Sequence, residues 1–290
     1  MEKTLQLILD YLIEVLKATG LQLFILLGPL LILSFAMHFV AGRIRDLGLS
    51  VFGYKTFIYS FKSIGTPLHE MGHALFAVLF GHKITDIKLF DPDANDGSFG
   101  YVRHSHRPGN IYNEIGTFFI GIGPILMCTM MLYAITWIMF RFSVSDISGI
   151  NITSEHLLNS FSLKQTGLGI LQGFQQFWYI VFHGNHSSWW KIIIFIYLLF
   201  SIGSSITLSP PDIEGAVSGL LFFVVLLVVF NLLTLWIGNF TVSALAQANS
   251  FFSGFYFIMA ISLLTNIVFA LLLWGLKPII LEIRSKINRY

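Results

Sequence analysis

Leu68–Phe76 reads LHEMGHALF and contains an H-E-x-x-H motif within a chain that is otherwise mostly apolar. Residues four apart share one face of an α-helix, so His69 and His73 can present two imidazoles to one metal ion. Glu70 lies about 100° round the helix from His69, close enough to hold a water on the metal without being a ligand. Two histidine ligands with a glutamate general base are the pattern of the zinc peptidases.

The composition of the chain indicates a protein that crosses a membrane several times. The chain has 290 residues, of which 55% are hydrophobic and 11% are charged, whereas about 25% charged residues is usual for a soluble domain. The net charge of +2 is too small to indicate nucleic acid as a partner. Cys128 is the single cysteine, which excludes a disulfide framework and a cysteine-based metal site. We expect an all-α polytopic membrane protein in which residues 1–290 form one membrane-embedded domain.

The apolar segments predict about six transmembrane helices. Ahead of them, residues 1–19 have a narrow polar stripe and predict an amphipathic helix that lies in the membrane interface, separated from the first span by Gly20. The six predicted spans are 21–41, 57–80, 115–140, 189–208, 213–237 and 252–276.

The polar interval 82–113 predicts a small β-hairpin directly after the motif helix. Ile84–Leu89 and Gly100–His104 are strand-like, and residues 91–97 between them are rich in Asp, Asn, Pro and Gly, which favour turns. An open edge of such a hairpin is able to receive an extended peptide as an added strand.

An even number of spans places both termini on the same side of the membrane. Lys and Arg are more frequent on that side, which favours cytoplasmic termini. The polar segment 142–188 is then an extracytoplasmic loop, while the hairpin and the turn before Asp212 share the cytoplasmic side. We expect a multi-pass protein of a bacterial cytoplasmic membrane.

Two histidines do not complete a catalytic zinc site, which uses three protein ligands and a water. Asp212 is the favoured third ligand, because it opens an apolar helix directly after Pro210 and Pro211, where an acid has no packing reason to be. The alternative explanation is a carboxylate that caps the helix and interacts with its dipole. Glu214, Glu114 and a histidine of the hairpin remain alternatives for the ligand.

The remaining histidines carry no spacing that defines a metal site. The spacing of His104 and His106 could place both imidazoles on one strand face, and His183 and His186 lie in the 142–188 loop. We expect these four to be solvated or interfacial side chains.

Several segments resemble the site-2 protease family of intramembrane zinc metalloproteases. His69–Ala74 (HEMGHA) and Phe80–Ile84 (FGHKI) are similar to the family's H-E-x-G-H-A helix and its following G-x-K-V strand. Gly121–Pro124 (GIGP) is similar to the family's A-G-P segment, although Met127 stands where the family usually has Asn. Pro211–Gly215 (PDIEG) is the counterpart of the family's L-D-G ligand motif and departs from it.

The resemblance implies a zinc-dependent intramembrane endopeptidase. Zn²⁺ would be held by His69, His73 and Asp212, with Glu70 as the general base, and the enzyme would hydrolyse peptide bonds in or near a transmembrane segment. The expected partners are the lipid bilayer and a substrate that is a single-span membrane protein or a signal-peptide remnant. The alternative is a catalytically silent relative that binds or escorts membrane proteins, which the intact Glu70 disfavours. A metal transporter is a third hypothesis, disfavoured because the polar residues cluster at one depth.

Overall fold

The computed structural model describes residues 2–93, 99–142, 163–237 and 240–287. It confirms the all-α membrane class with one small antiparallel sheet. In chain order the elements are α1 (Glu2–Phe52), α2 (Tyr54–Phe57), a π-helical turn (Ile58–Lys62), α3 (Gly65–Leu79), β1 (Lys83–Lys88), β2 (Tyr101–Ser105), α4 (Ile111–Phe140), α5 (Leu163–His183), α6 (Trp189–Gly203), α7 (Pro210–Thr234) and α8 (Phe240–Ile287).

The first helix runs without a break through Gly20, where the sequence predicted a boundary between an interfacial helix over 1–19 and the first span. A single glycine inside a helix costs only about 1 kcal/mol relative to alanine, which flanking helical turns readily offset. With 51 residues, α1 is about 76 Å long, whereas the hydrocarbon core of a bilayer is about 30 Å thick. One helix thus replaces the predicted two, and an interfacial position of residues 1–19 stays a prediction.

Four helices in the described part of the chain are long and apolar enough to cross a membrane: Glu2–Phe52, Ile111–Phe140, Pro210–Thr234 and Phe252–Lys286. The other two predicted spans correspond to shorter elements. Residues 57–80 contain the π-helical turn and the 15-residue α3, and residues 189–208 contain the 15-residue α6. The number of spans therefore stays a prediction.

The segment 142–188, predicted as a loop, contains the 21-residue helix α5. Its Phe177 and Val181, one helical turn apart, are buried in the main apolar core. The Phe177 ring lies 6.2 Å from that of Phe195 in α6 and 5.7 Å from that of Phe257 in α8. Packing of this one apolar face stabilises the helix. The scattered glycines and polar residues of the segment had instead favoured a loop. Residues 143–162 lie outside the described part.

Helix α4 lies between α3 and α7 and contacts each of them closely. A Cβ atom built on Gly72 of α3 would lie 2.7 Å from the backbone of Gly123, so the two helices cross with their backbones in contact. A Cβ on Gly121 would lie 2.6 Å from the carbonyl oxygen of Asp212 and the backbone nitrogen of Ala216 in α7. Since small residues allow such approaches inside a membrane protein, α4 sets the spacing between the motif helix and α7.

A buried polar cluster joins α1 to α7. The Asn231 side-chain amide donates to Thr19 Oγ1 and to Gln22 Oε1, each at 2.9 Å, and the Gln22 amide donates to Asn231 Oδ1 at 3.1 Å. All three side chains are buried. Inside a bilayer such a mutually satisfied set fixes the register of two helices, because each polar group would otherwise lack a partner.

The predicted hairpin is present: β1 pairs antiparallel with β2, with an irregularity in register between Ile84 and Asp86. It follows α3 after Gly81, whose φ of +71° is favoured by glycine and ends the helix. The predicted turn residues 94–98 lie outside the described part of the chain.

Candidate functional site

The two motif histidines are oriented by backbone carbonyl groups of other elements. His69 and His73 lie on one face of α3, with ring centroids 5.2 Å apart. Nδ1 of His69 lies 2.9 Å from the carbonyl oxygen of Ser205, and Nδ1 of His73 lies 2.9 Å from that of Ile120. A carbonyl oxygen only accepts, so each Nδ1 carries the proton and each neutral ring keeps its lone pair on Nε2. This fixed tautomer and orientation is the arrangement found behind metal-bound histidines.

The Ile120 carbonyl, which orients His73, has no backbone partner within α4 because of Pro124. In a regular helix the Ile120 carbonyl would accept from the backbone N–H of residue 124, but Pro124 has no N–H. The pyrrolidine ring also clashes with the carbonyl four residues earlier, which turns that carbonyl out of the helix. Pro124 thus makes the Ile120 oxygen available to the His73 imidazole of the neighbouring helix.

The carbonyl that orients His69 comes from the turn after α6. This helix ends at Gly203, and the last carbonyl groups of a helix have no partner within it. Ser205 lies two residues beyond that end, and its carbonyl accepts from His69.

Asp212 lies at the start of α7, buried, and faces both histidines. Its Oδ1 lies 3.0 Å from Nε2 of His73, and its Oδ2 lies 3.7 Å from Nε2 of His69. Oδ2 also accepts from the backbone N–H of Ser209 at 2.7 Å, in a capping box with the Ser209 side chain. The carboxylate therefore caps the helix and joins the histidine pair at once, and its role as a metal ligand stays a prediction.

These three side chains form a group that could hold a metal ion. Within the described ranges they are the one set of three or more His, Cys, Asp or Glu residues with suitable geometry, and their ligand atoms all lie within 4.8 Å of one another. With both Nδ1 atoms protonated, the Nε2 lone pair of His73 faces a carboxylate oxygen at 3.0 Å. Two lone pairs at that distance repel unless a proton or a cation lies between them. The donor set of two imidazoles and one carboxylate fits zinc.

The two glutamates named as alternative ligands lie outside this group. Glu214 is exposed on α7. Glu114, in the first turn of α4, accepts from the backbone N–H of Gly109 at 3.3 Å and lies 3.4 Å from Nε2 of His106. At the end of α5, His183 is exposed and stacks on Tyr179.

Glu70 is buried next to the three candidate ligands in sequence or space, and one cavity is lined by all four residues. The start of β2 crosses close over it: a Cβ on Gly100 would lie 2.8 Å from Cγ of Glu70. The same Cβ would lie 2.8 Å from the carbonyl oxygen of Leu89, so a larger residue at position 100 would displace Glu70, the backbone after β1, or both. The hairpin is therefore packed directly against the candidate general base.

The cavity has a volume of about 770 Å³. Its walls combine α1, the π-helical turn, α3, the start of β2, α4, the turn after α6 and the start of α7. Three basic side chains that the sequence reasoning did not assign to the site also line it, namely His38, Arg45 and Lys62. Lys62 was detectable, since a lysine within an apolar segment is costly unless it faces a cavity or a partner.

His104 was predicted to be a solvated or interfacial side chain, but it is half-buried and lines the cavity. Its Nδ1 lies 3.0 Å from Nδ1 of His82, whose Nε2 donates to the Asn113 carbonyl at 2.9 Å. His82 Nδ1 is therefore the acceptor, and His104 Nδ1 is the donor. Burial, followed by the neighbouring histidines, lowers the pKa of His104 to about 4, so its ring is neutral at pH 7. His106 stacks on His82 with centroids 4.6 Å apart.

The long apolar helices are those of a membrane protein, and a family match indicates a fold of metallopeptidase type. Residues 47–141 match the family described as Peptidase M50B-like, and over these residues the match confirms the resemblance to the site-2 protease family. The matched segment includes α3, the hairpin and α4, whereas Asp212 and α7 lie beyond it. No curated protein and no solved structure matches the chain.

Proposed function

We propose that the protein is a zinc-dependent intramembrane endopeptidase that hydrolyses peptide bonds in or near the transmembrane segment of its substrates. The observation that carries the proposal is the convergence of His69 Nε2, His73 Nε2 and the Asp212 carboxylate, with both Nδ1 atoms engaged by carbonyls. The cavity that they share with Glu70 supports a reaction rather than a purely structural metal, because it leaves room for water and substrate.

His69, His73 and Asp212 would hold the zinc ion. When bound, zinc lowers the pKa of a coordinated water to about 7 and polarises a carbonyl group. The carbonyls of Ser205 and Ile120 keep the two imidazoles turned toward the ion, so little reorientation is needed on binding.

Glu70 would act as the general base. Its carboxylate accepts a proton from the attacking water and returns it to the nitrogen of the departing amine, so the two halves of the peptide separate as acid and amine. Burial against Gly100 keeps this side chain in one place, as proton transfer over a hydrogen-bond distance requires.

The substrate would be a single-span membrane protein or a signal-peptide remnant, delivered through the lipid bilayer. A helix hides its carbonyl groups, so the segment to be cut must first become extended. The hairpin, whose strand β2 begins beside Glu70, is suited to hold an extended segment by strand addition.

The experiment is to compare wild type with Glu70→Gln in zinc content and in cleavage of a panel of purified single-span substrates. Glu70→Gln should retain zinc and lose cleavage by about 10²–10⁴-fold, the usual contribution of a general base. Glu214→Gln, an exposed glutamate on α7, is the matched control and should behave as wild type. Turnover by Glu70→Gln at the wild-type rate would refute this mechanism. A wild-type protein that binds zinc but cleaves no substrate would favour the silent, substrate-escorting relative.

A further inference from the structure

Lys62 is a buried cation on the wall of the candidate active-site cavity. Its Nζ donates to the carbonyl oxygen and to Oγ of Ser204, each at 3.2 Å, and only 9% of the residue is exposed. Among the described residues no carboxylate forms an ion pair with it, and Arg45 is close enough to oppose its charge. A buried ammonium group without a counter-charge is costly, which calls for a functional explanation.

One face of α1 adds two further basic side chains, His38 and Arg45, to the wall of the cavity. His38, Ala41, Gly42 and Arg45 follow the spacing of one helical face, and all four line the cavity. A Cβ on Gly42 would meet nothing within 4 Å, so the small residues leave open space between the two basic side chains. Arg45 Nε lies 3.7 Å from Asp46, which is largely exposed, so its guanidinium group is not fully engaged.

Capping of α6 does not account for these charges. Lys62 satisfies the Ser204 carbonyl beyond the end of α6, but a neutral donor would do the same. Two acids line the cavity, Glu70 and Asp212, and a divalent metal at the proposed site would balance them. Within the described part of the chain, Lys62 would then remain without a counter-charge, and Arg45 is paired only with the largely exposed Asp46, which favours an anionic ligand.

We propose that Lys62, Arg45 and His38 form an anion subsite that binds a carboxylate side chain of the substrate next to the scissile bond. This inference rests on the proposed peptidase function. Lys62 bonds to Ser204, and the next residue, Ser205, orients His69. Consecutive residues are 3.8 Å apart, and an extended peptide advances about 3.3 Å per residue. The acidic residue should therefore lie within about three residues of the cleaved bond.

The test begins with the substrate. In one single-span substrate whose cleavage site is mapped, Glu and Gln are compared at each of the three positions on either side of the cut. Wild type should cleave the Glu version at one or more positions about ten- to a hundredfold faster in kcat/KM, the range expected of a charge-assisted hydrogen bond. Cleavage of all versions at the same rate would overturn the anion subsite and leave the peptidase proposal intact, whereas cleavage of none would count against the peptidase proposal itself.

Variants of the enzyme distinguish the effect of the Lys62 charge from that of its hydrogen bonds to Ser204. Lys62→Gln keeps a donor for Ser204 and should bring the ratio of kcat/KM for the Glu substrate to kcat/KM for the Gln substrate down to about one, whatever its effect on the overall rate. Lys191→Gln is the matched control, because Lys191 also donates to two carbonyls, of Met139 and His186, but does not line the cavity. It should keep the preference.

Two outcomes of the variant series would contradict the proposal. Equal losses on both substrates in Lys62→Gln would mean that Lys62 acts only through Ser204. An effect of Lys62→Gln that depends on anionic phospholipid and not on substrate charge would assign the site to a lipid phosphate. Should Lys62→Gln fail to fold, Arg45→Gln, on a half-exposed side chain, decides the question: a reduced preference for Glu supports the subsite, and an unchanged preference overturns it.

Discussion

Replacing Pro124 by alanine should weaken zinc binding although it makes the local helix more regular. Alanine restores the backbone N–H that a helix directs at the carbonyl four residues earlier, here that of Ile120. This carbonyl accepts from Nδ1 of His73 at 2.9 Å. In Pro124→Ala the helix competes for the oxygen and draws it back toward the helix axis, so the His73 imidazole loses its fixed orientation.

The expected loss of zinc affinity follows from the role of the Ile120 carbonyl as the hydrogen-bond partner that orients His73. Loss of a partner that orients a ligating histidine typically lowers metal affinity about 10–100-fold. Since a carbonyl has two lone pairs and can retain part of its bond to His73, we expect the lower end of that range. Removing an interior proline normally favours a helix by about 3 kcal/mol. Zinc affinity and thermal stability of the metal-free protein should therefore change in opposite directions, which a general loss of structure would not produce.

The assay is a competition titration of purified protein with a zinc chelator, alongside thermal unfolding of the metal-free form. Pro278→Ala is the matched control, an exposed proline inside α8 that lies away from the site, and its zinc affinity should equal that of wild type. His73→Ala sets the scale for loss of the ligand itself. Wild-type affinity in Pro124→Ala, with a clear loss in His73→Ala, would refute the reasoning about the released carbonyl.

Three further predictions concern the ligand, the helix spacing and the topology. Asp212→Asn can still accept from the Ser209 N–H but is a poor ligand, so it should stay folded and lose zinc, whereas Glu214→Ala should keep zinc; metal analysis after gel filtration distinguishes them. Gly121→Val should lower zinc affinity and melting temperature together, because its Cβ would lie 2.6 Å from the α7 backbone; Gly20→Ala, where a Cβ meets nothing within 4 Å, should lower neither. Asn95→Cys in a Cys128→Ser background should resist a membrane-impermeant thiol reagent added to intact cells, and labelling from outside would contradict the cytoplasmic hairpin.

Sequence patterns predicted the elements whose causes are local. The motif helix α3, Gly65–Leu79, carries all three residues of the H-E-x-x-H motif, with Pro67 accommodated in its first turn. The hairpin strands lie within one residue of their predicted bounds, because alternation and turn residues act over a few positions. Gly20 misled the interpretation because flanking helical turns offset the cost of one glycine. The polar character of residues 163–183 misled it because packing of one apolar face stabilises that helix.

The site was predictable only as far as its ionisable residues. His69, Glu70, His73 and Asp212 stood out because charged and metal-binding side chains are costly in an apolar chain. The oxygen that orients each histidine belongs to a backbone, and a backbone carbonyl has no signature in the residue that carries it. The distance along the chain also matters: 136 residues separate His69 from Ser205 and 47 separate His73 from Ile120. Only the fold brings such pairs together.

One segment of α4 nevertheless brings most of the site residues together. In Gly121–Pro124, the first glycine lets α7 approach and so carries Asp212 to the site, and Gly123 lets α3 approach with its two histidines. Pro124 then releases the Ile120 carbonyl that orients His73. A zinc site needs its ligands placed to a few tenths of an ångström, and two backbone-to-backbone crossings on one rigid helix are a direct way to reach that precision. In the proposed mechanism the H-E-x-x-H motif would supply two ligand atoms and the base, and α4 would determine whether they meet the Asp212 carboxylate.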